Sequence, residues 1–338
     1  MKIDFIHTPT WLGAAAPAAI RARRLGFDGF FTADVDHEPF LPLAVAAAAQ
    51  ADMDYGTAIA VAFGRSPMVT ATAAWDLAQL TGGRFLLGLG TQVKAHITRR
   101  FSMEWSQPVV RMGEYIAAMR AIWDSWQLAE PLRFRGDFYQ FTLMTPVFNP
   151  GPIEPGPPPV YIAGVGPRMA ALAGEVCDGY HIHPFHTVPY LHAVTLPAIR
   201  AGADRNSRGI DEIQLASSVF VVTGRTEPEM AAMRDAVKSQ IAFYASTPAY
   251  AGVLDVHGWD VGPELTTMAR RGRWSEMAQV ITDDMVAEVA VVSPLDQLGA
   301  AVKARYDGLL DRIGLYTITS AMPDVGDDGW AALAEALR

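Results

Sequence analysis

Ser66-Pro67-Met68-Val69-Thr70-Ala71 starts a helix, and Leu80-Thr81-Gly82-Gly83-Arg84-Phe85-Leu86-Leu87-Gly88-Leu89 ends it and supplies the strand that follows. Ser66 is a natural N-cap, and Pro67 suits the first helical position because its missing N–H would have no partner there. Gly82-Gly83 stops the helix after Leu80, since glycine accepts the left-handed conformation of a helix end. Phe85–Leu89 is a short apolar run, the pattern of a strand buried on both faces. Working outward, the same unit recurs. Strands are expected at Ile3–Ile6, Gly29–Thr32, Asp54–Val61, Phe85–Leu89, Val160–Ala163, Gly179–Ile182, Leu215–Val222 and Arg312–Thr317. Helices are expected over about 14–25, 41–51, 67–80, 108–127, 167–176, 188–203, 227–245 and 294–308. Eightfold strand–helix alternation predicts an α/β protein, a (β/α)8 TIM barrel. A barrel of this type uses about 250 residues as one unit, so 1–338 is read as a single domain.

Two stretches interrupt the alternation and are read as insertions after the fourth and seventh strands. Residues 128–159 hold an expected hairpin (Leu132–Phe141) and a Pro/Gly-rich connector from Pro146 to Pro159. Residues 246–292 are expected to add helices without a strand. Long excursions in a barrel build lids or interfaces. Met112, Ile116, Met119 and Trp123 form one apolar helical stripe, expected in the core. Ser293-Pro294-Leu295-Asp296 predicts a second capped helix start, with Asp296 placed for a capping box.

Of the 338 residues, 50% are hydrophobic and 19% charged, enough for a large core and too apolar for disorder. The formal net charge of −9 argues against nucleic acid as the main partner. Cys177, the single cysteine, leaves no internal disulfide and no cysteine-based metal site. No secretory signal opens the chain, and Ala-rich stretches such as Leu41–Ala51 are too short and weakly apolar to span a membrane. A cytoplasmic protein is expected.

Barrel enzymes work at the C-terminal ends of their strands. That rule nominates His7-Thr8, Asp34 to His37, Ala58 to Phe63, Gly90 to His96, Gly164 to Gly166, His181 to His186, Thr223 to Arg225 and Thr319-Ser320. Six of the eight histidines fall in this set: His7, His37, His96, His181, His183 and His186. In Asp34-Val35-Asp36-His37-Glu38-Pro39, an imidazole beside carboxylates suits proton transfer near neutral pH. The structural alternative is a capping loop, with Asp36 as the cap and His37 exposed. Gly164-Val165-Gly166-Pro167 joins a strand to a helix, where free N–H groups and the helix dipole favour an anion. It lacks the third glycine and the distal acid of a dinucleotide fingerprint. His181-Ile182-His183 puts two imidazoles on one strand face, which with His7 would suit a metal-dependent barrel hydrolase. The preferred reading is no metal, with His181 packed and His183 and His186 near a cofactor. No serine-hydrolase elbow, P-loop or His-Glu-x-x-His motif occurs.

Several segments, in order, resemble the bacterial luciferase-like monooxygenase superfamily, within it the oxidoreductases that use the deazaflavin coenzyme F420. They are Leu25–Phe31, Tyr55–Val61, Leu80–Thr91, Pro159–Pro167 and Ala173–Gly179. The resemblance implies a barrel with the cofactor ring at its mouth, and a β-bulge with a non-proline cis peptide on the third strand, here Ala58-Ile59. It implies that Asp36 lies at the cofactor, that His37 faces the reactive edge of the ring, and that Gly164, Val165 and Gly166 hold the phosphate. His183 would lie near the cofactor, and His186 on the substrate side. Sugar-phosphate dehydrogenases of this family carry a catalytic Glu shortly after the fourth strand. Val93 stands there instead, with Lys94 and His96 beside it, which are therefore assigned to the substrate side. The expectation is an F420-dependent oxidoreductase working as a homodimer on a small organic substrate. The alternatives are an FMN-dependent monooxygenase, the metal-dependent hydrolase, and a non-catalytic barrel.

Overall fold

The computed structural model describes residues 1–8, 11–316 and 321–338. Its first strands are β1 (Lys2–His7), β2 (Gly29–Thr32), β3 (Asp54–Thr57), β4 (Ala60–Val61) and β5 (Phe85–Gly90). A separate antiparallel hairpin follows, β6 (Phe134–Arg135) with β7 (Gln140–Phe141). The remaining strands are β8 (Val160–Gly164), β9 (Gly179–Ile182), β10 (Gln214–Val222), β11 (Ala290–Val292) and β12 (Arg312–Tyr316). Parallel pairing runs β12–β1–β2–β3–β5–β8–β9–β10, and β10 returns to β12, closing an eight-stranded barrel. The expected (β/α)8 architecture is thus present.

The helices of the first half are α1 (Ala15–Arg24), α2 (Phe40–Ala49), α3 (Pro67–Leu80), α4 (Lys94–Arg99), α5 (Pro108–Gln127) and α6 (Pro167–Val176). In the second half α7 (Val188–Tyr190) runs through a π turn into α8 (Leu196–Arg205), and α9 (Glu227–Ala245) follows β10. Beyond it lie α10 (Ala251–His257), α11 (Gly262–Arg270), α12 (Trp274–Met277), α13 (Asp283–Val289), α14 (Leu298–Tyr306) and α15 (Gly326–Leu337). Local chemistry accounts for the best-defined ends. Ser66 Oγ accepts from the Met68 N–H at 3.2 Å, and Gly82 and Gly83 take φ of 59° and 84° after α3. Met112, Ile116, Met119 and Trp123 are all buried on α5. No helix among the described residues is long and apolar enough to cross a membrane.

The pleat sends alternate residues of each strand inward. At the N-terminal end of the barrel, buried Arg312 donates to Asp4 and, at 2.6 Å, to Asp54. Above it lie Phe31, Leu86, Tyr161 and Ala216. Glycines make room for these large groups. A Cβ on Gly29 would strike Asp4 and Arg312, on Gly56 Phe31, on Gly88 the Thr57 carbonyl and then His181, on Gly179 Tyr161, and on Gly314 Ile6. The outward faces, with Phe30, Tyr55, Phe85, Leu87 and Ile162, pack beneath the helices in one core.

Four expectations need correction. The strand expected over Asp54–Val61 is interrupted by the bulge that the resemblance implied: Tyr55 faces Phe85 but Ala60 faces Leu89, so an extra residue is held between β3 and β4. Residues 290–292 form β11, which pairs with the end of β10. The run is only three residues long and continues α13 without a turn signal, so the sequence masks it. Pro294 takes an extended conformation (ψ 151°) instead of the first helical position, and α14 starts only at Leu298 after a 3-10 turn. No side-chain cap forms there, and Asp296 lies within that turn. Finally, α4 and α15 were not expected. Thr317 and Thr319-Ser320 lie outside the described residues.

Candidate active site

The C-terminal ends of the barrel strands and their loops form a mouth, and the bulge is one wall of it. The peptide bond Ala58-Ile59 is cis, at the position implied by the resemblance. Three bonds tie this segment to the end of β2: Ala58 N–H to Thr32 O (2.7 Å), Asp34 N–H to Ile59 O (2.9 Å) and Val61 N–H to Asp34 Oδ2 (3.1 Å). On the other side Thr57 Oγ1 donates to Gly88 O at 2.6 Å and accepts from Gly88 N–H at 2.9 Å. The hydroxyl thereby occupies ladder positions that the bulge vacates.

Asp34 also pairs with Arg65, which donates to Val61 O at 3.1 Å and reaches Glu38 at 3.3 Å. Both Asp34 and Arg65 are largely buried, with side-chain exposures of 5% and 16%. Sequence reasoning missed this clamp, because its parts are 31 residues apart and nothing local announces it. Between these anchors stand Asp36 and His37, both exposed. The cap of α2 is Glu38, not Asp36: its Oε2 accepts from the N–H groups of Phe40 (2.7 Å) and Leu41 (2.8 Å). Arg100, at the end of α4, donates to Val35 O, so the His37 loop and the helix bearing Lys94 and His96 are joined. Lys94 and His96 are exposed on α4.

The glycine segment forms the turn from β8 into α6, with Gly166 as N-cap and Pro167 first in the helix. Its carbonyls are tied inward: Tyr180 Oη donates to Gly164 O (2.6 Å) and Tyr190 Oη to Val165 O (2.8 Å). The two glycines do different work. A Cβ on Gly164 would strike Met169, so that glycine serves packing. A Cβ on Gly166 would meet nothing within 4 Å, so open space adjoins the backbone there. Pro167 has no N–H and that of Met169 is taken by Gly166 O at 3.2 Å, which leaves the N–H groups of Gly166 and Arg168 at the start of the ten-residue α6 as donors to an anion. The residues present fit a phosphate-bearing cofactor at this place.

The histidines separate. His7 shares the outward face of β1 with Phe5, packs on Phe30 (5.0 Å between ring centres) and is buried. His181 points into the barrel beside Tyr161 (5.3 Å) and is packed, as expected. The two lie on opposite sides of the strand layer and cannot share an ion, which removes the hydrolase ligand set. Among the described residues no three His, Cys, Asp or Glu side chains stand close enough to hold a metal. His186, expected on the substrate side, is instead sealed in. It is 1% exposed, its Nδ1 lies 2.8 Å from His183 O, and its ring packs against Tyr306. His183 has both ring nitrogens engaged within the protein, Nδ1 with Phe185 N–H (3.1 Å) and Nε2 with Tyr250 Oη (3.2 Å). Burial holds the imidazoles of His181, His183 and His186 down at about 4, 3 and 4, below the usual 6.5.

A cluster absent from the sequence reading surrounds His183. Tyr244 on α9 and Tyr250 before α10 pack on its ring at 4.7 and 4.8 Å between centres. Tyr316, the last residue of β12, lies on its inward face in register with Arg312 and Gly314, and its hydroxyl is 2.9 Å from that of Tyr244. Burial pushes the Tyr250 hydroxyl up to about 12, with Tyr316 adding to the effect. The aromatic run at Phe243-Tyr244 and Tyr250 was the available signal, passed over because it borders the 246–292 excursion.

Comparison with known proteins agrees with this architecture. The chain is 46% identical over 315 residues to the uncharacterized protein Rv1360 of Mycobacterium tuberculosis, covering 93% of this chain and 92% of that one. It is 28% identical over 328 residues to a 5,10-methylenetetrahydromethanopterin reductase of Methanolobus tindarius, covering 95% and 93% of the two chains. The coenzyme F420 dependent tetrahydromethanopterin reductase of Methanopyrus kandleri has a similar fold, with a TM-score of 0.78 at 18% identity, over 100% of this chain and 97% of that one. A model of the luciferase-like monooxygenase family matches residues 6–312, and with that match over most of its length the chain belongs to this family of oxidoreductases and monooxygenases.

Proposed function

We propose that this protein is an F420-dependent oxidoreductase that transfers a hydride between coenzyme F420 and a small organic substrate at the barrel mouth. The supporting observation is the pairing of a bulged wall at Ala58-Ile59 with an open helix N-terminus at Gly166, on a chain alike over its length to F420-dependent reductases. When bound, the deazaflavin supplies a hydride donor or acceptor at one ring carbon. The chain's part is placement and proton handling. Ala58 and Ile59 form the wall for the ring, and Asp36 contacts the cofactor from the β2 loop. The N–H groups following Gly164, around Val165 and Gly166, bind the phosphate. His37, exposed on a loop anchored on both sides, moves the proton. Lys94 and His96, joined to that loop through Arg100, face the substrate.

Titration of the purified protein with F420 and with FMN, followed by cofactor fluorescence, tests the reading. F420 should bind more tightly. Gly166→Val should weaken that binding by filling the open space, and should still fold because φ −89° and ψ 160° suit valine. Equal or tighter FMN binding would overturn the F420 assignment in favour of an FMN monooxygenase.

A further inference from the structure

His183, expected beside the cofactor, stands with three tyrosines at the C-terminal end of the barrel, and their hydrogen bonds have a direction. The Phe185 N–H donates to His183 Nδ1 at 3.1 Å, so that nitrogen is an acceptor and carries no proton. A neutral imidazole bears its one hydrogen on the other nitrogen. His183 Nε2–H therefore donates to Tyr250 Oη, 3.2 Å away. The oxygen of Tyr250 is the acceptor in this bond, and its own hydrogen is left to donate elsewhere. Accepting a hydrogen bond polarises a hydroxyl and makes it the stronger donor.

The neighbouring pair behaves alike. Tyr244 and Tyr316 share one hydrogen between their oxygens at 2.9 Å, which leaves the second hydrogen unused by that bond. The Tyr244 and Tyr250 rings pack 5.6 Å apart between centres, which joins the two pairs into one cluster. Tyr316 ends an inward-facing row of the barrel, and Tyr250 leads into α10 from the lid side. The cluster thus stands at the C-terminal end of the barrel, where β12 meets the helices of the 246–292 excursion.

Charge then selects the acceptor. Among the described residues no Arg or Lys hydrogen-bonds or ion-pairs with Tyr244, Tyr250, Tyr316 or His183. Phosphate and carboxylate are held by forks of Arg or by Lys, and a box of neutral donors and aromatic faces suits an uncharged oxygen on an apolar body. We propose that Tyr250, oriented by His183, donates a hydrogen bond to an uncharged carbonyl oxygen, so that the substrates are ketones or aldehydes and the corresponding alcohols. The identification rests on the oxidoreductase reading above and adds the substrate class. Tyr250 touches the substrate, and His183 is a positioning residue acting through it.

The test uses the full chain and cyclohexanone labelled isotopically at its carbonyl carbon. Infrared difference spectra give the carbonyl stretch of the bound ketone, and a binding titration gives its Kd. Tyr250→Phe should raise the stretch and weaken ketone binding roughly three- to tenfold, the effect of one lost hydrogen bond. His183→Leu should move the stretch the same way by less, and His183→Gln, which keeps an N–H donor, should restore it. F420 affinity should be unchanged in Tyr250→Phe. The same stretch in the wild type and the folded Tyr250→Phe variant overturns the proposal, as does failure of the wild type to bind the ketone. Should Tyr250→Phe not fold, equal frequencies in wild type and His183→Leu overturn it. If F420 does not bind the wild type, the cofactor assignment falls, while the ketone measurements still decide the role of Tyr250.

Discussion

His37 is free at its tip and fixed at its base. Glu38 and Asp34 on either side are held by Arg65, and Val35 is held by Arg100, while the imidazole itself is exposed. A proton-transfer group benefits from that combination, because orientation is set by the loop and access to solvent is kept. If His37 transfers the proton in the slow step, His37→Asn should lower kcat by roughly 10²–10⁴ and leave cofactor affinity within a few-fold. Stopped-flow hydride transfer at saturating cofactor checks this, and a near-wild-type rate would transfer the role to Lys94 or His96. Position along a strand end was enough to place His37 at the mouth, since the loop after β2 must lie there. Position was not enough for His186. Residues three apart in a loop can face opposite ways, and only the bond from His186 Nδ1 to His183 O reveals that this ring turns inward. The expectation of Asp36 as the cap failed because Glu38 has the reach to bond two N–H groups from immediately before Pro39.

At the level of elements, the bulge between β3 and β4 is secured from β2 by a carboxylate with three duties. Asp34 accepts from Val61 N–H, pairs with Arg65, and through its own N–H holds Ile59 O. Asp34→Ala keeps only the last. Breaking a buried ion pair costs about 3–5 kcal/mol, and the lower end applies because Arg65 retains Glu38. Denaturant unfolding should therefore show a loss of about 3 kcal/mol for this variant, and a loss below experimental error would deny the clamp its structural role. The strands were legible because each is a short apolar run bounded by turn formers, as in Gly82-Gly83 before Phe85. The bulge itself was not legible from periodicity, because Asp54–Val61 alternates like one strand, and only the resemblance indicated it. Ser66-Pro67 and Ser293-Pro294 look alike in sequence. They part because the second follows β11 directly, and Ser293 N–H is already bonded to Val222 O in continuation of the sheet, which keeps the chain extended through Pro294.

Across the whole molecule, four imidazoles are stored uncharged in the interior: His7, His181, His183 and His186, each with its proton affinity lowered by burial. In the unfolded chain they would take up protons near pH 6.5. In the folded chain His181 and His186 resist until about pH 4 and His183 until about pH 3. Below pH 6.5 the unfolded state thus binds more protons, so stability that is full above that pH declines as the pH falls toward 4. Thermal melts should show a falling midpoint from pH 7 to pH 5, and His186→Phe should flatten the decline. A midpoint that holds level over this range would contradict the buried neutral state. The glycines of the barrel interior carry a further consequence, for how such a chain can change over generations. Gly29, Gly56, Gly179 and Gly314 each cede their volume to a side chain from another position: Arg312 with Asp4, Phe31, Tyr161 and Ile6. No one of these can be enlarged unless its tenant shrinks first, so acceptable substitutions here come in ordered pairs and the mutational landscape is epistatic. The bore beneath the mouth is consequently slow to drift, while the lid and loops above it remain free to diversify toward new substrates.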